Sequence, residues 1–463
     1  MTTTDLPPQP RLKRALGPTA LVLFGLTYLA PVTVFTTYGI VTQSTDNHLP
    51  SAYVVALVAM LFTALSYGAM ARAFPVSGSA YTYTQQTFGG HIGFLTGWTL
   101  MLDYLFLPMI NFLLIGLYLN TQFPDIPGWV FALASLLLVL LFNVLGITLV
   151  NRLNVAIVAL SVLLVVVFAV LAIKELLTNP SSETPSLIEP FLPGKGGLGP
   201  IFAGAAVLAL SFLGFDAVST LSEEAKNPKR DIPRAILLTT LIGGAIFIVV
   251  SWLGALVYPD WRDFAQVDSA GVDLMAKVGG TFLTSFFVAV YVVGAFGSGM
   301  TTQVSVSRII YSMGRDGVLP RIFGTLHSRF RTPWVAALAV SVVSLLALVL
   351  TLDQAATMIS FGALAAFSMV NLSVIKHHLF PKGGRTAPSA GEWVRYGVLP
   401  AIGFVLTVWL WTSLTATTFI VGLSWMLVGV VYLAVLTRGF RRKPPMMDFS
   451  EKEELEEEAA RAA

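Results

Sequence analysis

Residues 211–236, SFLGFDAVSTLSEEAKNPKRDIPRAI, join the end of an apolar run to a strongly charged stretch. In the apolar part, Gly214 and Asp216 lie on either side of Phe215. Glycine weakens a helix, and an ionised aspartate in the hydrocarbon core costs about 3 kcal/mol, so this pair is not expected in an ordinary lipid-embedded helix. The segment therefore predicts a membrane helix with a polar break near mid-depth, a charged cytoplasmic loop, and a next helix that begins at Pro233.

The composition indicates the solvent in which the chain folds. Of its 463 residues, 55% are hydrophobic and 11% are charged, whereas soluble domains carry about 25% charged residues. An integral membrane protein is therefore expected. The chain has no cysteine and only five histidines, which excludes disulfides and thiolate metal sites. We expect neither a metal site nor a cofactor.

Apolar runs separated by polar loops predict an all-α protein with twelve transmembrane helices. The predicted helices, numbered 1 to 12, cover residues 17–43, 51–73, 91–121, 128–146, 152–176, 200–222, 233–258, 276–311, 333–352, 355–377, 394–414 and 417–437.

Positive charge sets the predicted orientation of these helices. Only four of the 28 Lys and Arg residues fall on one side of the membrane, and they are Lys174, Lys195, Arg262 and Lys277. Because positively charged loops stay in the cytoplasm, both termini are predicted to be cytoplasmic and the protein to reside in the inner membrane. The same rule accounts for the excess of positive charge, so no nucleic-acid partner is expected.

Two of the predicted helices are interrupted. Helix 1 is broken at residues 28–32, around Pro31, and helix 6 at residues 212–216. The two helices are five apart, and an odd offset turns the second copy upside down, as in transporters built from an inverted repeat. Matching breaks predict a binding site at the midplane, because unwound backbone must satisfy its polar groups. The alternative is that proline and glycine merely bend packed helices.

Four segments resemble the amino acid–polyamine–organocation transporter superfamily. They are FPVSGSAYTY after helix 2, GFD with SEEAKNPKRDIPRAI at the end of helix 6, RIIYSMGRDGVLP after helix 8, and SFGALAAFSMVNLSVI in helix 10. The resemblance implies the five-plus-five inverted repeat of the leucine-transporter-like fold, with discontinuous helices 1 and 6 and two peripheral helices, 11 and 12.

This fold implies a division of the chain into five segments. A cytoplasmic tail covers residues 1–16 and a ten-helix transport core covers residues 17–378. A cytoplasmic loop over 379–393 precedes the peripheral helices in 394–438, and a cytoplasmic tail follows over 439–463.

The break in helix 1 bears on the class of substrate. Within the superfamily, helices 1 and 6 look most like those of bacterial putrescine importers. Amino-acid members usually have a glycine-rich break whose backbone N–H groups receive the substrate carboxylate, but here the break reads Leu29-Ala30-Pro31-Val32. Pro31 has no N–H. This departure favours a substrate whose ends are only cationic.

Asp103 and Asp216 are the acids that lie well inside predicted helices, and no Lys or Arg lies at comparable depth. They are either protonated structural groups or receptors for the ammonium groups of an organic cation. Neighbouring aromatic rings would add cation–π contacts. The candidate substrate-binding residues are Tyr28, Ala30, Pro31, Val32, Trp98, Asp103, Tyr104, Phe212, Gly214, Phe215, Asp216 and Ser360.

The coupling ion is less clearly indicated. Some proton-coupled members of the superfamily carry a lysine in helix 5, where this chain has Ser161. A proton would then have to bind a carboxylate, and otherwise sodium or the membrane potential drives transport. The candidates for coupling or gating are Asp216, Asp103, Glu223, Glu224 and Ser161.

The sequence therefore predicts a secondary transporter that imports putrescine or a similar organic amine across the bilayer. The alternative within the same class is an amino-acid permease or an amino-acid/amine exchanger. An enzyme is not expected, because the chain has no phosphate-binding loop, no His–Glu metal spacing and no nucleophile elbow. The expected partners are a small amine or amino acid, lipid, and a proton or sodium ion.

Overall fold

The computed structural model describes residues 14–444 except 124, 180–183, 195, 265–266, 268–269, 350–351, 381–387, 413, 415 and 443. Most of the two predicted tails, Lys195 and half of the predicted loop over 379–393 therefore lie outside the described residues. Within them the chain forms fifteen α-helices, joined in places by 3-10 turns, and no β-strand.

The helices run along the chain in the following order. They are α1 (Pro18–Leu29), α2 (Thr33–Ser44), α3 (Leu49–Ala73), α4 (Ser79–Phe88), α5 (Gly90–Gln122), α6 (Gly128–Leu145), α7 (Ile147–Thr178), α8 (Gly199–Leu208), α9 (Pro228–Val257), α10 (Ala270–Arg315), α11 (Trp334–Ser344), α12 (Leu352–Leu379), α13 (Ala390–Trp393), α14 (Leu399–Thr412) and α15 (Ala416–Leu436).

Ten of the described helical stretches are long and apolar enough to cross a bilayer, and the bent pair α1–α2 brings the number to eleven. The stretch predicted as helix 9 forms a shorter apolar helix, Trp334–Leu348. The all-α membrane fold is thus confirmed, while the count of twelve spans and the inverted repeat stay predictions.

Both predicted interruptions are present. α1 ends at Leu29, Ala30 adopts a left-handed φ of 48°, and α2 begins at Thr33 after a bend of 45°. The second interruption follows a 3-10 turn, and Gly214 has a φ of 122° that only glycine adopts without strain. A Cβ on Gly214 would lie 2.5 Å from Cδ1 of Tyr28. The absence of a side chain at this position therefore lets the two breaks touch.

Two local features differ from the expectations. α9 begins at Pro228, not at Pro233, which lies inside the helix. Proline is favoured at the first helical position because its missing N–H has no helical partner there, and Pro228 takes that position. The polar stretch after predicted helix 2 contains a buried helix, α4, whose predominantly polar composition did not single it out as an element of the core.

The chain segment before α1 is tied to the end of the interrupted helix 6. Leu16 forms an isolated parallel bridge with Ala225, and the N–H of Leu16 donates to the carbonyl oxygen of Glu224 at 3.0 Å. We call the end of the bundle that holds Leu16, Glu224 and Arg315 the terminal face. The opposite end, where Asp46 and Arg262 form an exposed ion pair of 3.8 Å, is the distal face.

Candidate substrate-binding site

Asp216 lies in the break of helix 6 and is fully buried. One carboxylate oxygen accepts a hydrogen bond from the N–H of Gly214 at 3.2 Å. The other accepts a short hydrogen bond from the hydroxyl of Tyr104 on α5. The unwound backbone and α5 thus hold this carboxylate together.

Asp103, which precedes Tyr104 on α5, is also fully buried. Neither of its carboxylate oxygens has a hydrogen-bond partner among the described residues. Its carboxyl group is close enough to Asp216 for the two to interact electrostatically. On α12, a Cβ added to Gly362 would lie 2.8 Å from the backbone nitrogen of Asp103, so the small residue lets α12 close over this acid. A buried carboxylate without a partner is costly, so this acid is chemically suited to bind a cation or a proton.

Aromatic rings surround the two acids. The ring of Tyr28 lies 6.3 Å from that of Tyr104, and its hydroxyl has no hydrogen-bond partner among the described residues. Phe215 packs against Phe367 at 5.3 Å and against Tyr67 at 5.8 Å. These faces can bind an ammonium group by cation–π attraction.

The structure adds two residues to this cluster that the sequence did not single out, Tyr67 on α3 and Phe367 on α12. Each is one aromatic residue in an apolar helix, and its local sequence does not set it apart from ordinary core packing. The one available hint is in the helix 10 segment of the family resemblance, which contains Phe367.

Several other predicted site residues line the two breaks. Pro31 and Val32 are buried in the first break, with Ala30 half-buried beside them. Phe212 is buried before the second break and packs on Phe247 of α9 at 5.5 Å. Ser360 is buried on α12, two residues before the glycine that contacts Asp103.

The structure does not bring Trp98 to this cluster. Its ring stacks on Trp425 of α15 at 4.9 Å, and each indole N–H donates to the backbone carbonyl of the other tryptophan, at 2.9 Å and 2.7 Å. The ring of Tyr432, also on α15, stacks on Trp98 with the ring centres 5.7 Å apart. Trp98 faces the peripheral helix because its indole N–H is hydrogen-bonded there and its ring is stacked. The sequence does not reveal this contact with Trp425.

Two of the coupling candidates, Glu223 and Glu224, lie at the terminal face. Glu224 forms an ion pair with Arg308 of α10, and both side chains are only 3% exposed. Glu223 accepts hydrogen bonds from Arg315 at 3.1–3.2 Å. Both glutamates are thus charge-paired, in contrast to the two aspartates. Ser161 is buried on α7, which packs against α1 and α10.

Asp316 extends the charged network of the terminal face. It lies 3.8 Å from Arg315 and accepts a hydrogen bond of 3.0 Å from the hydroxyl of Tyr81 on α4. Burial raises the pKa of Asp316 from 3.8 to about 6, against the opposing effects of Arg315 and Tyr81, and Glu223 raises it further.

This raised pKa predicts the effect of Asp316→Asn on stability. An acid whose pKa is higher in the folded than in the unfolded protein destabilises the fold as the pH rises from about 4 through about 6. At pH 7.5 the cost is about 3 kcal/mol, since each pKa unit corresponds to about 1.4 kcal/mol. We expect D316N to unfold at a higher temperature than wild type at pH 7.5, with about half the gain at pH 5.

Thermal unfolding of the purified protein at the two pH values measures this difference. Asp263→Asn, at an exposed position on the distal face, is the matched control and should change little. A D316N variant that is less stable than wild type at pH 7.5 would show that Asp316 is needed as a charged partner of Arg315.

Comparison with known proteins identifies relatives over nearly the whole chain. The family model described as amino acid permease matches residues 20–443. The low-affinity putrescine importer PlaP of Escherichia coli K12 is 39% identical over 439 residues, which cover 94% of this chain and 96% of that protein. The branched-chain amino acid permease BcaP of Bacillus subtilis is 31% identical over 92% of this chain and 94% of its own. The methylthioribose transporter of Bacillus subtilis is 26% identical over 92% of this chain and 94% of that protein.

Proposed function

The chain belongs to the amino acid permease family, and from that premise we propose that it imports putrescine or a similar organic amine across the cytoplasmic membrane by alternating access. The observation that carries the proposal is the pair of buried aspartates, Asp103 and Asp216, without an Arg or Lys partner among the described residues. A diamine has two ammonium ends and no carboxylate, so it complements two acids. On this proposal the protein is a transporter and not an enzyme.

The backbone around the breaks supports a substrate without a carboxylate. Pro31 has no N–H, the N–H of Thr33 is bonded to the carbonyl of Ala30 at 2.8 Å, and the N–H of Gly214 is bonded to Asp216. The donors that an amino-acid carboxylate would need at these positions are thus absent or already used. An additional anion would also face two acids in a site of low dielectric.

The two acids are proposed to have different roles in binding. Asp103 lacks a hydrogen-bond partner among the described residues and would receive the first ammonium group directly. Asp216 is bonded to Tyr104 and Gly214, so the second ammonium group must replace or share those bonds. Binding at Asp216 would therefore act on the break of helix 6, whose far end joins the ion pairs at the terminal face.

We propose that the terminal face is cytoplasmic and that both tails lie on that side, as the positive-inside rule favours. The site would then be closed towards the cytoplasm by the Glu224–Arg308 and Glu223–Arg315 pairs. A dication drawn inward across about 100 mV gains about 4.6 kcal/mol, so the membrane potential alone could drive accumulation. If a proton is coupled to transport, Asp103 and Asp216 are the proposed carriers, because Glu223 and Glu224 are already paired with arginines.

The second candidate function is an amino-acid permease or exchanger. The extended similarity to a branched-chain amino acid permease supports it. That function would require the substrate carboxylate to find donors other than the N–H groups of Thr33 and Gly214. A set of substrates that differ only in their end groups separates the two candidates.

The test is uptake by wild-type protein in proteoliposomes, with putrescine, n-butylamine and 4-aminobutyrate as competitors. All three have a four-carbon chain, but they end in two ammonium groups, one ammonium group, and one ammonium with one carboxylate. We expect putrescine to compete best and 4-aminobutyrate at least about 100-fold more weakly, because an unpaired buried charge costs about 3–5 kcal/mol. Leucine that competes better than putrescine would establish the second candidate. Imposed proton and sodium gradients in the same assay identify the coupling ion.

A further inference from the structure

Three hydroxyl groups are buried between Asp216 and the terminal face. They belong to Tyr67 on α3, Tyr83 on α4 and Ser77, which precedes α4, and each residue is fully buried. The hydroxyl of Tyr67 faces Ser79 and that of Tyr83 faces Ser219. Within the described part of the chain, however, none of the three hydroxyl oxygens makes a hydrogen bond of normal geometry. Because a buried hydroxyl without a partner costs free energy, three of them in one region call for an explanation.

Ring contacts join the two tyrosines to the residue beside Asp216. The ring of Tyr67 packs at right angles on Phe215, the neighbour of Asp216, with the ring centres 5.8 Å apart. The next ring, that of Tyr83, lies 6.0 Å from Tyr67. Ser77 lies just before α4, the helix that holds Tyr83, and its backbone N–H donates to Glu223 at 3.3 Å. The hydroxyls thus lead from the candidate substrate site to the ion pairs of the terminal face.

The start of α4 is shaped to hold these residues together. Ser79 has a left-handed φ of 48°, which is uncommon for a residue with a side chain. Its hydroxyl accepts a hydrogen bond of 3.0 Å from Ser219 in the second half of helix 6. A Cβ added to Gly78 would lie 1.8 Å from Oγ1 of Thr82, so a larger residue there would displace the Thr82 side chain. Backbone strain of this kind persists where the surrounding structure requires it.

We propose that Tyr67, Tyr83 and Ser77 line the route by which the substrate leaves Asp216 for the terminal face. Tyr67 is the first of the three that the substrate meets. This inference rests on the proposed function in assuming that the substrate carries an ammonium group. An ammonium group donates three hydrogen bonds, and the oxygens of the three hydroxyls are acceptors. The faces of Tyr67 and Phe215 add cation–π attraction beside Asp216. The route is closed at its end by the Glu223–Arg315 pair and opens when that pair separates.

Tyr67→Phe and Tyr83→Phe test the route by a split between affinity and turnover. Each variant keeps the ring packing and removes one hydroxyl acceptor, beside the binding site in Y67F and beyond it in Y83F. We expect the maximal uptake rate to fall about tenfold in both variants. In Y83F, the putrescine concentration that stabilises the protein should stay within twofold of that for wild type. The double variant should be slower than either single one.

Tyr53→Phe is the matched control. Tyr53 is buried on α3, the helix that also holds Tyr67, but lies nearer the distal face. Its hydroxyl is already 3.3 Å from that of Thr37 and 3.4 Å from that of Ser211. It should transport within twofold of wild type. Maximal rates in Y67F and Y83F equal to that of wild type, or an equal loss in Y53F, would overturn the proposal in favour of ordinary core packing.

A second test uses the absence of native cysteine, since any introduced thiol is the only one in the protein. Ser77→Cys and Ser219→Cys are treated with a membrane-impermeant methanethiosulfonate reagent, applied separately from each side of reconstituted vesicles. We expect both thiols to react from the terminal-face side only. Ser51→Cys, on α3 at the distal end, is the control that should not react from that side.

The labelling result separates the route from the identity of the substrate. Thiols at Ser77 and Ser219 that stay unreactive from the terminal-face side, in protein that transports, would overturn the route. Wild-type protein that transports no amine, with both thiols reactive from that side, would instead refute the proposed substrate and leave the route in place.

Discussion

Asp216→Asn is expected to abolish saturable uptake of putrescine. The substitution keeps the size of the side chain and removes the charge that would balance one ammonium group. Its amide nitrogen, a donor, would also face the Tyr104 hydroxyl or the N–H of Gly214, which now donate to the carboxylate. Leaving a buried ammonium without its partner costs about 3–5 kcal/mol, so we expect kcat/KM for uptake to fall by at least about 100-fold.

Initial rates of labelled putrescine uptake over a range of concentrations measure this effect. Asp103→Asn serves as the comparison and should chiefly raise KM, because Asp103 is proposed to bind substrate without first giving up a hydrogen bond. Asp231→Asn, another buried acid but in the first turn of α9, is the control for an effect on folding. Uptake by D216N with wild-type affinity would remove Asp216 from the binding site.

Arg308→Ala is expected to destabilise the protein strongly and to stop transport. It leaves the carboxylate of Glu224 without a cation in a position where both side chains are 3% exposed. Removing one partner of a buried ion pair typically costs 3–5 kcal/mol, because the remaining charge is uncompensated. The loss of stability is expected to reach the segment before α1. That segment is held by hydrogen bonds from the N–H groups of Ala15 and Leu16 to the carbonyl oxygen of Glu224.

A double-mutant cycle of Glu224→Gln and Arg308→Met identifies the pair as the cause. The double variant removes both charges and keeps most of the volume. It should unfold at a higher temperature than R308M, measured on purified protein in detergent. An R308A variant as stable as wild type, or a double variant less stable than R308M, would show that the pair does not hold the terminal face closed.

The interruptions of helices 1 and 6 were predictable because their cause is local. Pro31 and Gly214 disturb a helix wherever they occur within a long apolar run, and Asp216 marks one of the breaks as polar. Asp103 was recognisable on the same grounds, since an acid inside a membrane helix stands out from its neighbours in the sequence. The positions of the breaks in the structure agree with those in the sequence to within a few residues.

Contacts between distant segments were not predictable in this way. Trp98 resembles a site aromatic in the sequence, and only the packing of α15 on α5 assigns it to the Trp425 pair. Glu224 and Arg308 are each ordinary charged residues near helix ends, and their pairing depends on how helix 6 meets α10. Tyr67 and Tyr83 are single aromatic residues whose common position depends on the contact between α3 and α4.

The sequence by itself determined that this is an all-α membrane protein, that two of its helices are broken, and that two acids lie inside the membrane. Each of these follows from the free energy of placing particular residues in hydrocarbon or in a helix, which depends on the local segment alone. The tertiary structure decided that the break at Gly214 touches the break at Tyr28, that Asp216 is bonded while Asp103 is not, and that both glutamates are paired. Those outcomes depend on which side chains contact each other across helices. Burial strengthens these polar contacts, because the dielectric constant of the interior is low.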